Sequence, residues 1–306
     1  MSVSIIQAIF SGLALGSIYA VVALGFNITH NTTKTFNFGQ GEFLIGGAFI
    51  AVTVLALIAG KGRFDTLLPG DVGLGTYIVA ILATVAIMGA LGVVLYYTAV
   101  RPFVGRSGLA WVMSTIGFGI IIQNTALAIW GPAPLVMPSP LGSNVLRIAG
   151  AGVLPQELLV LTVSVAVMAL LDFAMRRTRM GRAVRAVAHN GSAATLMGIN
   201  VAAVVVLAFA LSCALAGLAG MLIVPITTAS VFMGLTLALK AFSAAIVGGL
   251  DNARGCMLGG FLLGLVEALV GLWHAELREI TIFLLIIVVL AFKPEGLLGR
   301  RYTEKV

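Results

Sequence analysis

An all-α, polytopic transmembrane helical bundle is the fold class that this 306-residue sequence predicts. Three observations carry that expectation. Hydrophobic residues make up 60% of the chain and charged residues only 9%, whereas a soluble domain carries about 25% charged residues. The apolar residues fall into runs long enough to cross a bilayer, which takes about 20 residues. Basic residues gather in alternate connections between those runs, the asymmetry that orients membrane proteins. A soluble chain of this length has too little interior to hide so much apolar surface.

The first run, about 5–29, follows an N-terminal stretch, Met1 to Gln7, without a basic residue. It therefore reads as a retained span and not as a cleaved leader. Further spans are expected at about 41–59, 73–99, 108–130, 154–175, 201–224, 255–274 and 277–293. A segment at about 230–250 is apolar but carries Lys240 and Gly248-Gly249. It reads as a ninth crossing or as a broken or re-entrant helix, so the expected count is 8–9 membrane segments. Residues 1–306 form a single membrane domain with no soluble domain and no evident repeat. Pro132, Pro134, Pro138 and Pro140 make 131–155 an irregular external loop. On the other face the longest connection is 176–200.

Lys34, Arg101, Arg106, Arg176, Arg177, Arg179, Arg182 and Arg185 all fall in connections on one face, and Lys293, Arg300, Arg301 and Lys305 in the tail. The opposite face holds only Lys61, Arg63, Arg147 and Arg278. The Arg-rich face is thus expected in the cytoplasm, with the N-terminus outside and the C-terminus cytoplasmic. The net charge of +7 belongs to these loops and calls for no nucleic acid. Cys213 and Cys256 lie in apolar stretches and read as small packing residues.

Within 176–200, the second half suggests a short helix. Asn190 or Ser192 can cap its first amides and Gly198 can end it in a left-handed turn. Ala193, Ala194, Leu196 and Met197 would give it a small apolar face, with Thr195 between them. On pattern alone this is either a docking helix for a partner's groove or an ordinary positive loop. Inside the membrane a charge costs about 2.5–3.5 kcal/mol at a helix centre, so Glu42, Lys240 and Glu267 need partners or water. They read as pathway or gating groups, or as a structural pair of Lys240 with Glu42 or Glu267. Asn37 and Gln40, with their flanking glycines, mark a cytoplasmic turn or a broken helix lining a cavity. Gln123 and Asn124 are pathway or interhelical groups. The spacings Gly12/Gly16, Gly255/Gly259 and Gly260/Gly264 point to helix contacts within the chain. No catalytic pair is readable, and His30, His189 and His274 are too scattered for a metal cluster.

Several motifs in order resemble the LivH-type permeases of branched-chain amino acid ABC transporters. They are Gly12-Leu-Ala-Leu-Gly16-Ser17-Ile-Tyr19-Ala20, Phe36-Asn37-Phe38-Gly39-Gln40-Gly41-Glu42-Phe43, Gly181-Arg182-Ala183-Val184-Arg185-Ala186 with Ala194-Thr195-Leu196-Met197-Gly198-Ile199-Asn200, Lys240-Ala241-Phe242-Ser243 through Gly248-Gly249-Leu250, and Pro294-Glu295-Gly296-Leu297. The resemblance implies a multi-pass permease of the bacterial inner membrane that works by alternating access. It also implies partners: a second related permease, two cytoplasmic ATPases carrying ATP-Mg, and a periplasmic binding protein. Residues 192–198 would then be the coupling helix, with Arg182 and Arg185 steering the docking. In agreement, the chain has no phosphate-binding loop, since Gly60-Lys61-Gly62 is followed by Arg63. Many members of the family have Ala-His where this chain has Gly39-Gln40, which leaves the solute open among branched-chain and other amino acids, amides, urea and aromatic acids. A self-sufficient secondary transporter or a channel is the alternative.

Overall fold

The computed structural model describes residues 2–62, 65–103, 110–142, 144–148 and 150–299. Arg63, Arg106, Arg300, Arg301 and Lys305 lie outside them. The described chain is helical almost throughout. In order come α1 (Ser2–Thr33), α2 (Gln40–Ile58), α3 (Leu74–Leu95), α4 (Ala110–Trp130), α5 (Pro155–Arg177), α6 (Arg179–His189), α7 (Gly191–Leu196), α8 (Val201–Ile223), α9 (Met233–Gly248), α10 (Ala253–Gly271) and α11 (Leu277–Phe292). A π-helical turn, Tyr96–Val100, extends α3. Seven of these helices are long and apolar enough to cross a membrane: α1 to α5, α8 and α10.

Two expected spans come out short. α9 and α11 have 16 residues each, or about 24 Å against a hydrocarbon core of about 30 Å. In α9 the pair Gly248-Gly249 ends the helix and does not interrupt it, with Gly249 at φ 104°. α11 is stopped by Pro294 and buries only Ile282. The Pro-rich segment is mostly irregular, as expected, but it is pinned. Leu135 exchanges two backbone hydrogen bonds with Ala229 (2.9 and 2.8 Å). An unexpected hairpin, β1 (Leu146–Ile148) with β2 (Ala151–Val153), pairs Leu146 with Val153 and packs on α1.

α1, α2 and α8 form the core, ringed by α3, α9 and α10. Their seams are made of small residues because helices in lipid associate through close packing. A Cβ at Gly16 would sit 2.8 Å from Gly260 O, and one at Gly12 2.9 Å from Gly264 O. Gly255 and Gly259 meet α9 in the same way. All three glycine spacings are therefore contacts within the chain. The outer helices turn large apolar residues outward, among them Leu82, Ile121, Phe173 and Ile287.

The packing repeats, although no repeat was evident in the sequence. α1 lies on α10 as α8 lies on α3, and α2 lies on α8 as α9 lies on α1. α2 also meets α3 and α4 as α9 meets α10 and α11. α1 and α8 share a small-residue texture, Gly12, Ala14 and Gly16 against Ala214, Ala216 and Gly220, too sparse to register as a repeat until the contacts pair the helices.

Candidate functional site

At the Arg-rich end, three caps follow one another within 23 residues. Thr178 Oγ1 accepts from Gly181 N, Asn190 Oδ1 from Ala193 N and Asn200 Oδ1 from Ala203 N, each at 3.0 Å. The connection 176–200 is thus two short helices, α6 and α7, and not an open loop. Gly198 ends α7 at φ 81°. The expected apolar face divides. Ala194 turns inward onto Val184, Val187 and Val204. Leu196 (89% exposed) and Met197 (83%) project outward with Ala193, beside exposed Ser192 and Thr195. At 100° per residue, positions 193, 196 and 197 share a side that 194 does not. Arg182 is exposed on α6, whereas Arg185 donates to Met175 O and so closes the end of α5.

One ion pair and one longer polar contact fix which helix ends lie together here. Asp172 near the end of α5 holds Arg254 at the start of α10 at 3.0 Å, and His30 near the end of α1 lies 3.8 Å from Asp251. Leu297 N and Leu298 N donate to Val247 O and Gly248 O (2.8 and 3.0 Å). The Lys240–Leu250 and Pro294–Leu297 motifs, far apart in sequence, thus meet at this end.

In the middle of the bundle, Lys240 Nζ lies 2.6 Å from Glu267 Oε1, and Tyr19 OH donates to Glu267 Oε2 at 2.9 Å. Of Glu42 and Glu267, Lys240 pairs with Glu267. Glu42 is half-buried beside Gly119 of α4, with no ion pair among the described residues. Asn37 and Gln40 are fully buried. Gln40 Nε2 donates to Ser212 O at 3.0 Å, Ser212 Oγ lies 2.9 Å from Gln40 Oε1, and Asn37 Nδ2 donates to Gln40 Oε1 at 3.2 Å. This network ties the break before α2 to α8. The Gly39-Gln40 departure thus sits in helix packing. Gln123 donates to Val231 O at 3.1 Å, while Asn124 is exposed and bonds Ile120 O of its own helix. The intramembrane candidates are therefore dispersed over several contacts. Tyr19 and Ser212 complete two of them; Tyr19 falls within the first motif, whereas Ser212 carries no sequence signal beyond being polar.

At the opposite end, where α1 begins, a cavity of about 510 Å³ opens between α1, α5 and α10. Ser4, Gln7, Ser11, Glu157, Glu267 and Arg278 supply its polar lining. Glu157 Oε1 accepts from Ser11 Oγ at 2.5 Å and its Oε2 from Leu154 N at 3.2 Å. The 3–4 spacing of Ser4, Gln7 and Ser11 is a polar stripe visible in the sequence.

With this geometry in place, comparison with known proteins is direct. Residues 8–290 match the family described as branched-chain amino acid transport system / permease component. The chain belongs to this family. The permease is 31% identical to the "High-affinity branched-chain amino acid transport system permease protein BraD" of Pseudomonas aeruginosa, covering 98% of both chains. It is 30% identical to the LivH protein of Escherichia coli K12, covering 98% of this permease and 97% of LivH. A probable LivH of Methanocaldococcus jannaschii is 28% identical over 92% of the permease and 89% of its own length. Among solved structures, "PsaBC from Streptococcus pneumoniae in complex with Fab" aligns over 92% of this permease and 89% of its own chain, at 13% identity and a TM-score of 0.42. The permease is a multi-pass membrane transport component.

Proposed function

We propose that this permease forms one half of the transmembrane pathway of an ATP-driven importer for branched-chain or other hydrophobic amino acids in a bacterial inner membrane. A second, related permease supplies the other half, two ATPases carry ATP-Mg on the cytoplasmic side, and a periplasmic binding protein delivers the solute. The observation that carries this reading is α7, a six-residue helix capped by Asn190 whose Leu196 and Met197 face solvent. Apolar side chains on so short a capped helix suit insertion into a partner's groove. Exposed Arg182, with Arg176, Arg177 and Arg179, makes that end electropositive and favours an acidic docking surface. The same charges orient the Arg-rich end to the cytoplasm and the start of α1 to the outside.

Reconstitution tests the reading. Permease pair, ATPases and binding protein are placed in proteoliposomes, and labelled leucine uptake is measured with ATP-Mg. Uptake is expected only when every component is present. Uptake by the permeases alone would make the chain a secondary transporter or channel.

A further inference from the structure

We propose that the cavity at the start of α1 is a binding site for a free α-amino acid, with Glu157 receiving the ammonium and Arg278 the carboxylate. This rests on the reading of the chain as an amino-acid permease and adds to it a place where the solute is held within this subunit.

Three independent features meet there. First, the cavity descends far into the bundle. Its wall on α1 runs from Ser4 to Leu15, a rise of about 16 Å or half the hydrocarbon thickness. That wall carries Ser4, Gln7 and Ser11 at helical spacing, a polar stripe that lipid chains would not solvate. Second, two opposite charges face the space without an ion-pair partner among the described residues. Glu157 is 7% exposed and is bonded only by neutral donors, Ser11 Oγ and Leu154 N. Its place in the first turn of α5 lets the helix N-terminus offset part of the cost of a buried carboxylate, and a cation in the cavity would offset the rest. Arg278 lines the cavity at its exposed mouth, with its guanidinium folded over Gly271. The third charge, Glu267, is already neutralised by Lys240. The site therefore offers one cation and one anion, the complement of a zwitterion. Third, the remaining wall is apolar, with Leu15, Ile226 and Leu272 able to take a branched aliphatic side chain. The volume, about 510 Å³, is in the range of small-molecule sites.

The test uses the assembled importer in phosphatidylcholine proteoliposomes, with Leu15→Cys as reporter. Cys213 and Cys256 are fully buried and stay silent. A membrane-impermeant thiol reagent is expected to label Cys at this position, and leucine to slow the labelling. The des-amino analogue of leucine and the amine lacking its carboxylate are expected to protect poorly. Adding Glu157→Gln, whose amide can accept from Leu154 N and donate to Ser11 Oγ, or Arg278→Gln should raise the leucine concentration for half-protection about tenfold or more. Absence of labelling, labelling indifferent to leucine, or protection unchanged in both variants would overturn the assignment. Leucine uptake by the importer without either substitution is measured alongside. Uptake without protection refutes the cavity alone, whereas a complete importer that takes up no amino acid refutes the functional reading and the site with it.

Discussion

Replacing Lys240 with Met removes the cation from the Lys240–Glu267–Tyr19 cluster and leaves Glu267 buried. The pair is close, at 2.6 Å, and both side chains are largely shielded, 13% and 8% exposed. Removing one partner of such a pair costs about 3–5 kcal/mol, because the remaining charge has lost its compensation. Tyr19 keeps its hydrogen bond to Glu267 Oε2, and a hydrogen bond to a charged group is worth about 1.5–3 kcal/mol. The lower end, about 3 kcal/mol, is therefore expected. For a chain of this size that lowers Tm by about 6 °C, at roughly 2 °C per kcal/mol. The molecule carries its own probe. Cys213 and Cys256 are buried and free, so a thiol-reactive dye reports unfolding of the purified permease in detergent. The double variant Lys240→Met with Glu267→Gln removes both charges and should recover most of the loss, since neutral replacements of a buried pair are often nearly free of cost. A single variant as stable as the parent, or a double variant as unstable as the single, would refute the reasoning.

Four further outcomes are expected. Leu196→Glu or Met197→Glu should abolish co-purification of the ATPases and leave stability within about 0.5 kcal/mol, as surface changes usually do; normal co-purification would count against α7 as the docking element. Asn190→Ala should weaken α7 by about 1 kcal/mol through loss of its cap and lower ATP-driven uptake, with Asn190→Asp restoring it. Gly264→Val forces a side chain into the backbone of α1 at Gly12 and Gly16, so destabilisation at or above the roughly 1–3 kcal/mol of ordinary overpacking should appear in the same dye assay. In the connection 59–73, the Lys61 ammonium and Leu68 N–H hold the Asp71 carboxyl below the usual carboxylate range. A group with a lowered folded pKa stabilises above its unfolded value, and that contribution is lost as pH falls through the folded one. Proteolysis of this connection should therefore be flat from neutral pH to about pH 5, rise below about pH 4, and lose its pH step in Asp71→Asn.

The sequence located most helices because lipid forces apolar runs and internal backbone pairing, and both leave marks in one dimension. α2, α4 and α5 lie within two residues of expectation, and Asn190 and Gly198 bound α7 through chemistry that is local to them. The length of α9 was less legible, because Val231, Phe232 and Leu250 continue the apolar run past both of its ends, whereas α11 ends within one residue of expectation at Lys293-Pro294. The intramembrane polar groups were legible as a set but not as pairs. Lys240 could be matched to Glu42 or Glu267, and only the packing of α9 on α10 decides. Asn37 and Gln40 read in sequence as a turn or as a break lining a cavity, and their partner Ser212 lies 172 residues from Gln40. The cavity at the start of α1 draws on α1, α5, α10 and the start of α11, so no local pattern could assemble it.

Lys240 and Glu267 stand on consecutive helices joined by the short turn 249–252. During synthesis, α9 and α10 can therefore enter the bilayer as one hairpin whose charges cancel before either meets lipid alone. The first helix has the opposite problem. Its glycine seam and Tyr19 find their partners on α10, more than 200 residues later in the chain. Until then α1 rests on α5 and α8 with its glycine seam open, and the arrival of the α9–α10 hairpin closes that seam.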